Sequence, residues 1–279
     1  MRVPFKLSAV LIACTFALTA CGSSSSGESA KIEKNSFGVK VSTSPQKATF
    51  DKITVDGKEI DLAKAVQKAS LGNPNQIHPV FASDSSKTSS DYVIRYNLDV
   101  ADATFIASVD SNYVGTTSNN AHNFEYVIAG ATNDTLFIQG EKTATSDIPT
   151  SGTVSYKGGT LRFVTNSEDY VDSNGTAYAY PTKDNLLTSV GVIAGRIESE
   201  VDFDNKTITG FLRDAGRGGS NETFEGTLSG NGFAANWTDG DSGKGLEGNF
   251  YGPAATEMAG EFERSNSFGV FIAEQTATE

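Results

Sequence analysis

Polar and apolar residues alternate one by one through long stretches of the second half of this chain. From Gly195 to Phe203 the alternation is unbroken: Ile197, Ser199, Val201 and Phe203 fall on one face, Arg196, Glu198, Glu200 and Asp202 on the other. Period two over that length predicts a strand with one buried face. Asp204-Asn205 then turns the chain into a strand over Thr207–Arg213. Five more follow at Glu222–Leu228, Gly232–Thr238, Gly245–Tyr251, Glu257–Glu263 and Phe268–Ala273, mostly separated by Gly, Asn, Ser or Asp. Upstream, Thr153–Lys157 and Thr160–Thr165 read as two short strands flanking Gly158-Gly159. Phe233, Ala235 and Trp237 share a face, as do Phe224, Gly226 and Leu228, and Leu246, Gly248 and Phe250. Glycines interleaved with large side chains suit the tapering interior of a small closed barrel. The expectation is an antiparallel up-and-down β-barrel of about eight strands.

The first half is less regular. Strands are expected at Phe37–Ser42 and at Thr49–Val55, with Asp56-Gly57 as a hairpin turn and a return through Ile60. Asp61 is placed to cap a helix over Leu62–Leu71, stopped by Gly72 and Pro74. Four more strands are expected at Tyr92–Val100, Thr104–Val109, Phe124–Ala129 and Thr135–Gln139, with polar loops at Ser83–Ser90 and Asp110–Asn123. The fold class is therefore all-β with a minor helix: a β-rich N-terminal domain over 36–148 and a barrel over 149–279, parted near Asp147-Ile148-Pro149.

The extreme N-terminus carries an address. Arg2 and Lys6 precede an apolar run, Leu7 to Leu18, too short to span a bilayer, which is the arrangement of a secretory signal. Leu18-Thr19-Ala20-Cys21 fits a lipobox, with residues 1–20 removed and Cys21 lipidated. Residues 21–35, opening on Gly22-Ser23-Ser24-Ser25-Ser26-Gly27, read as a flexible tether. Of 279 residues, 22 are basic and 34 acidic. Removing residues 1–20 takes away two cations and moves the net charge from −12 to −14. Such a chain is a poor ligand for nucleic acid. Both cysteines, Cys14 and Cys21, lie in or beside the signal, so no disulfide framework or catalytic thiol is available beyond it.

Three stretches carry a family resemblance: Gly245–Glu274 (GLEGNFYGPAATEMAGEFERSNSFGVFIAE), Ser151–Phe163 (SGTVSYKGGTLRF) and Gly195–Gly210 (GRIESEVDFDNKTITG). Together they resemble the barrel of the transferrin-binding protein B-like surface lipoproteins, and Ile53–Leu62 (ITVDGKEIDL) resembles a segment of the factor-H-binding lipoproteins. The resemblance implies a single handle-plus-barrel unit, lipid-anchored in the outer membrane and facing outward. It implies export by the surface lipoprotein assembly modulator. It also implies non-catalytic capture of a host plasma or mucosal protein, such as a complement regulator or an iron or haem carrier. Haem- and haemoglobin-binding relatives add an alternative, a carrier that passes haem to an outer-membrane transporter.

Little other chemistry competes. Gly243-Lys244-Gly245-Leu246-Glu247-Gly248 fits a dinucleotide fingerprint by letter, but its period-two continuation is a strand and not a helix. Asp239, Asp241 and Gly243 resemble the start of a calcium loop whose twelfth position is Phe250 instead of Glu; a hairpin turn is expected. The two histidines, His78 and His122, form no metal-spaced pair. His122 and Tyr113, within or beside one polar loop, are the candidate ligand-binding residues, with haem as the possible cofactor and an ordinary loop histidine as the alternative. No catalytic or metal site is expected.

Overall fold

A computed structural model describes residues 30–46, 52–55, 58–61, 93–97, 102–106, 108–109, 122–165, 170–171, 175, 177–186, 192–214 and 221–276. The expected helix over 62–71 lies outside the described residues, as do Cys21, His78 and Tyr113.

In the first half the strands are β1 (Lys31–Lys34), β2 (Lys40–Ser44), β3 (Lys52–Val55), β4 (Lys58–Asp61), β5 (Val93–Asn97), β6 (Asp102–Ile106), β7 (Ser108–Val109), β8 (His122–Asn123), β9 (Val127–Thr132) and β10 (Thr135–Gly140). Six of them make one sheet in the order β1-β2-β10-β9-β6-β5, in which β2 and β10 run parallel. β3 and β4 form the expected hairpin, with Val55 opposite Lys58, and Asp61 is the last residue of β4. Lys31–Lys34, read as tether, pair with β2 at the sheet edge.

The second half contains β11 (Thr153–Val164), β12 (Tyr170–Val171), β13 (Ala177–Tyr178), β14 (Val192–Asp202), β15 (Thr207–Asp214), β16 (Glu222–Ser229), β17 (Gly232–Trp237), β18 (Gly245–Tyr251), β19 (Glu257–Glu263) and β20 (Ser267–Gln275). Eight of these close into an antiparallel barrel in chain order, β20 returning to β11, with the small β12–β13 hairpin set aside. The all-β architecture with an eight-stranded up-and-down barrel is as the alternation predicts. One detail differs. Gly158-Gly159 is no turn: β11 runs straight through it for 12 residues. A side chain at Gly158 would sit 2.7 Å from the Ala273 methyl, so the glycine is there to let β20 close against β11.

The barrel interior is solid. Tyr156, Phe224, Phe233, Trp237, Phe250, Met258, Phe262 and Phe271 are all buried in it. Each of four aromatics lies opposite an inward glycine on the next strand: Phe224 against Gly210, Phe233 against Gly248, Phe271 against Gly260 and Phe262 against Gly269. At Gly260 an added methyl would stand 2.7 Å from the Phe271 ring. The glycines are therefore the space into which the rings fit, and density close to that of a crystal follows.

A second core lies outside the barrel. Leu161, Phe163, Ala259, Phe268, Val270 and Ile272, on the outer face of β11, β19 and β20, pack against Val39, Val41, Phe124, Val127, Ala129, Leu136 and Ile138 of the six-stranded sheet. Phe268 stacks on Phe163 at 5.6 Å and meets Phe37 at 4.9 Å.

Gly260→Ala is expected to destabilise the barrel by about 1–3 kcal/mol through overpacking. Urea unfolding followed by the fluorescence of Trp237 measures it; an unchanged midpoint would mean that the ring and the glycine do not share this space.

Candidate functional site

The seam between sheet and barrel is held by buried polar contacts. Glu257 opens β19 pointing outward, and its carboxylate is 2% exposed. It accepts the backbone N–H groups of Glu125 at 2.6 Å, Tyr126 at 3.0 Å and Val127 at 3.0 Å. These donors precede or begin β9, where no ladder partner serves them, so the barrel completes the sheet's backbone bonding. Burial raises the Glu257 pKa; the three N–H groups oppose it without overcoming it, and the Glu125 charge adds to the rise. Six residues on, Glu263 accepts the Ser36 N–H at 3.1 Å and the Ser36 hydroxyl. At the far end the Thr143 hydroxyl donates to Gly252 O at 2.6 Å, and the Asn231 amide bonds both Thr143 O and Phe250 O.

Between the two clamps, Glu261 faces Glu247 across the β18–β19 register. Burial, followed by the bond to and charge of Glu247 and the charge of Glu263, pushes the Glu261 carboxyl up to about 8 against the pull of Lys244.

One mouth of the barrel is closed by an ionic lid. Arg162, 4% exposed and inward-facing on β11, lies over the Phe262 ring at 5.3 Å. It meets Asp214 at 2.9 Å, Glu222 through both terminal nitrogens, and the Ser267 hydroxyl at 3.3 Å. Arg264 covers Trp237 at 4.4 Å and bonds Asp239 at 2.9 Å, with Asp241 at 3.4 Å. Burial would raise the Asp241 carboxyl, but Gly243 N–H, the Ser265 hydroxyl and N–H, and Arg264 together hold it below the usual range. Asp239 and Asp241 thus form the expected turn, and the glycines after them enter β18. The other mouth is filled by Tyr156, whose hydroxyl donates to Ala255 O at 2.7 Å.

Aromatic rings occupy the interior, and a shallow hollow of about 230 Å³ lies on the outer wall among Lys157, Glu198, Glu200, Thr209 and Phe211. Among the described residues no three His, Cys, Asp or Glu side chains are grouped to hold a metal ion. His122 is not in a loop: it forms β8 and pairs with Val109. Sequence reading missed the Glu257 clamp and the Arg162 lid. The signal for the second was an arginine at an inward parity, between the outward Leu161 and Phe163.

Glu257→Ala is expected to cost about 3 kcal/mol or more, at least ~1 kcal/mol for each orphaned N–H. Glu257→Gln keeps one acceptor oxygen and should cost less; equal urea midpoints for wild type and Glu257→Ala would refute the clamp. Glu261 makes a pH prediction. Its folded pKa lies above the unfolded one, so its contribution is complete below the unfolded value near 4.5 and is lost as pH rises through about 8. Melting temperature should fall from pH 5 to pH 8, with a slope on the order of 1 kcal/mol per pH unit from this group. Glu261→Gln should flatten that slope.

Comparison with known proteins adds the context. Residues 148–275 match the family described as the C-lobe and N-lobe beta barrels of Tf-binding protein B. The chain is 30% identical over 168 residues to the Neisserial heparin binding antigen of Neisseria meningitidis serogroup B (strain ATCC BAA-335 / MC58), covering 50% of this chain and 33% of that protein. It is 29% identical over 171 residues to transferrin-binding protein B of Moraxella catarrhalis, covering 52% and 22%. The matches thus span a third or less of these relatives. A crystal structure of a variant transferrin-binding protein B from Haemophilus parasuis Hp5 superposes with a TM-score of 0.50 at 22% identity, covering 88% of this chain and 42% of that one. That likeness concerns the fold.

Proposed function

We propose, from the match of residues 148–275 to the family of transferrin-binding protein B β-barrels, that this chain is a surface lipoprotein that captures a host protein without catalysis. It is anchored in the bacterial outer membrane through acylated Cys21, after export by the surface lipoprotein assembly modulator. The observation that carries the reading is a closed barrel filled by its own aromatic side chains and fused along one wall to a second sheet. A ligand has no room inside such a barrel, so it meets the outer surfaces and loops, where recognition residues concentrate on rigid scaffolds. The partner is a plasma or mucosal protein of the complement-regulating or iron- and haem-carrying kind. The negative charge selects a basic patch on that partner and disfavours a polyanion such as the one that names the heparin-binding relative.

Two measurements test this. Radiolabelled palmitate should enter the wild type and not Cys21→Ala, because stable anchoring takes more than one chain; equal labelling would remove the anchor. The intact chain, displayed on cells, should retain a specific host plasma protein identified by mass spectrometry, with association slowing as salt rises. Retention of nothing, together with a Soret band after haem addition that is lost in His122→Ala, would replace this reading with the haem carrier.

A further inference from the structure

We propose that the free edge of β1 pairs antiparallel with β1 of a second copy of this chain, Ile32 opposite Ile32 and Lys31 opposite Glu33. Among the described residues β1 is bonded on one side only, to β2, and forms the end of the six-stranded sheet. All four of its side chains are exposed, and Ile32 is the one large hydrophobic residue among the described residues that is exposed, at 46%. Lys31 and Glu33, on the opposite face from Ile32, bond each other at 2.8 Å in open solvent.

Backbone parity selects the groups that are free. Asn35 N–H donates to Val39 O at 3.0 Å, in the same register that sets Glu33 opposite Val41 and Lys31 opposite Thr43. Hydrogen-bonded pairs alternate in an antiparallel ladder, so Asn35, Glu33 and Lys31 bond toward β2. The N–H and C=O groups of Ile32 and Lys34 therefore point away from the sheet. A second β1 must meet them with the same groups. Centred on Ile32, the two strands exchange both bonds at Ile32 and pair Lys34 with Ala30. Lys31 then stands opposite Glu33 twice, at the closely spaced non-hydrogen-bonded positions where side chains interact best.

The neighbouring registers of the same parity are excluded by charge. A shift one way sets Glu33 against Glu33, and a shift the other way sets Lys31 against Lys31; like charges directly opposite are destabilising. The edge is thus self-complementary in one register. Four residues bury far less than a stable interface needs, so the pair requires a raised local concentration. Here the inference rests on the lipid-anchor reading. Nine residue steps lead from Cys21 to Ala30, a reach of at most about 30 Å. In the paired register the two Ala30 residues stand about 13 Å apart along the strands, so both anchors reach one membrane and tethering supplies the concentration.

The test is oxidative cross-linking of Ile32→Cys in two settings: the full chain in its native membrane, and residues 21–279 with Cys21→Ser held by an N-terminal histidine tag on nickel-chelating vesicles. A disulfide-linked dimer is expected in both. Adding Glu33→Lys, or Lys31→Glu, should lower the cross-linked fraction about tenfold. Mixing the two charge variants should restore it as a heterodimer, because each Lys then faces a Glu. Unchanged melting of each variant in solution verifies that β1 is intact. No dimer on vesicles, or cross-linking indifferent to charge, would overturn the pairing. A dimer on vesicles but none in the native membrane would support the pairing and overturn the anchor.

Discussion

The wall made by β11, β19 and β20 has no outside. Its inner face packs the aromatic interior of the barrel, and its outer face packs the six-stranded sheet. Every residue of β20 from Ser267 to Ala273 is buried as a result. A strand in that position gives up solvent on both sides, so each polar group on it must find a partner inside the protein. Glu257 and Glu263 are the consequence. Both are all but inaccessible: Glu257 accepts three backbone N–H groups of the opposing half, and Glu263 accepts the N–H and hydroxyl of Ser36 from that half and the Lys244 ammonium from its own. The acids that would be a liability in an apolar seam become the acceptors that the sheet's own termini lack.

The same constraint explains what could be read from the chain and what could not. β14 alternates cleanly because one of its faces meets water. β20, reading Phe-Gly-Val-Phe-Ile-Ala, does not alternate, because both of its faces are covered. Continuous apolar runs mark two-sided burial, so the location of the seam was written in that segment even though its partner was not. Gly158-Gly159 was misleading for a related reason. A glycine pair flanked by strand-like residues has the composition of a turn, yet here it answers a close approach of β20, a long-range fact that no local pattern carries. Arg162 was hidden by its neighbours: Leu161 and Phe163 take the parity that usually faces a barrel core, but on this wall the outside is apolar as well. The two-residue pairing of β7 with β8 is too short to have a period, so His122 could be read only as a loop residue.

The aromatic–glycine pairing shows how the described interior of an eight-stranded barrel is filled. Large side chains from every strand converge on the axis, and the inward glycines opposite them set how far each ring can reach. At the mouth bounded by Ser267 and Glu222, Arg162 and Arg264 complete the packing with their flat guanidinium faces over Phe262 and Trp237 while their edges pair with carboxylates. A guanidinium suits this place because it stacks and forks at once, which an ammonium does not. The ion pairs contribute little net stability by themselves, since desolvation offsets much of the attraction. They fix the positions of the strand ends from which the mouth loops leave.

A barrel filled, lidded and welded along one wall has few ways left to act. Among the described residues its centre is filled by its own aromatic side chains, and its seam is occupied by its own sheet. The surfaces that remain are the open outer wall of β14 to β17, the loops at the two mouths and the free edges of the six-stranded sheet. On the outer wall, Glu200, Thr209, Glu225 and Asn236 alternate with buried neighbours and are held at fixed strand spacing. That is a solvated face whose regularity matches scaffold. The edge at β1 differs in kind, since the backbone groups of Ile32 and Lys34 are not consumed by the described ladder. Variation there leaves the core untouched, because the glycines, the rings and the two acids of β19 that hold the molecule together all lie elsewhere. A fold with this division of labour separates the residues that keep it folded from those free to meet a partner.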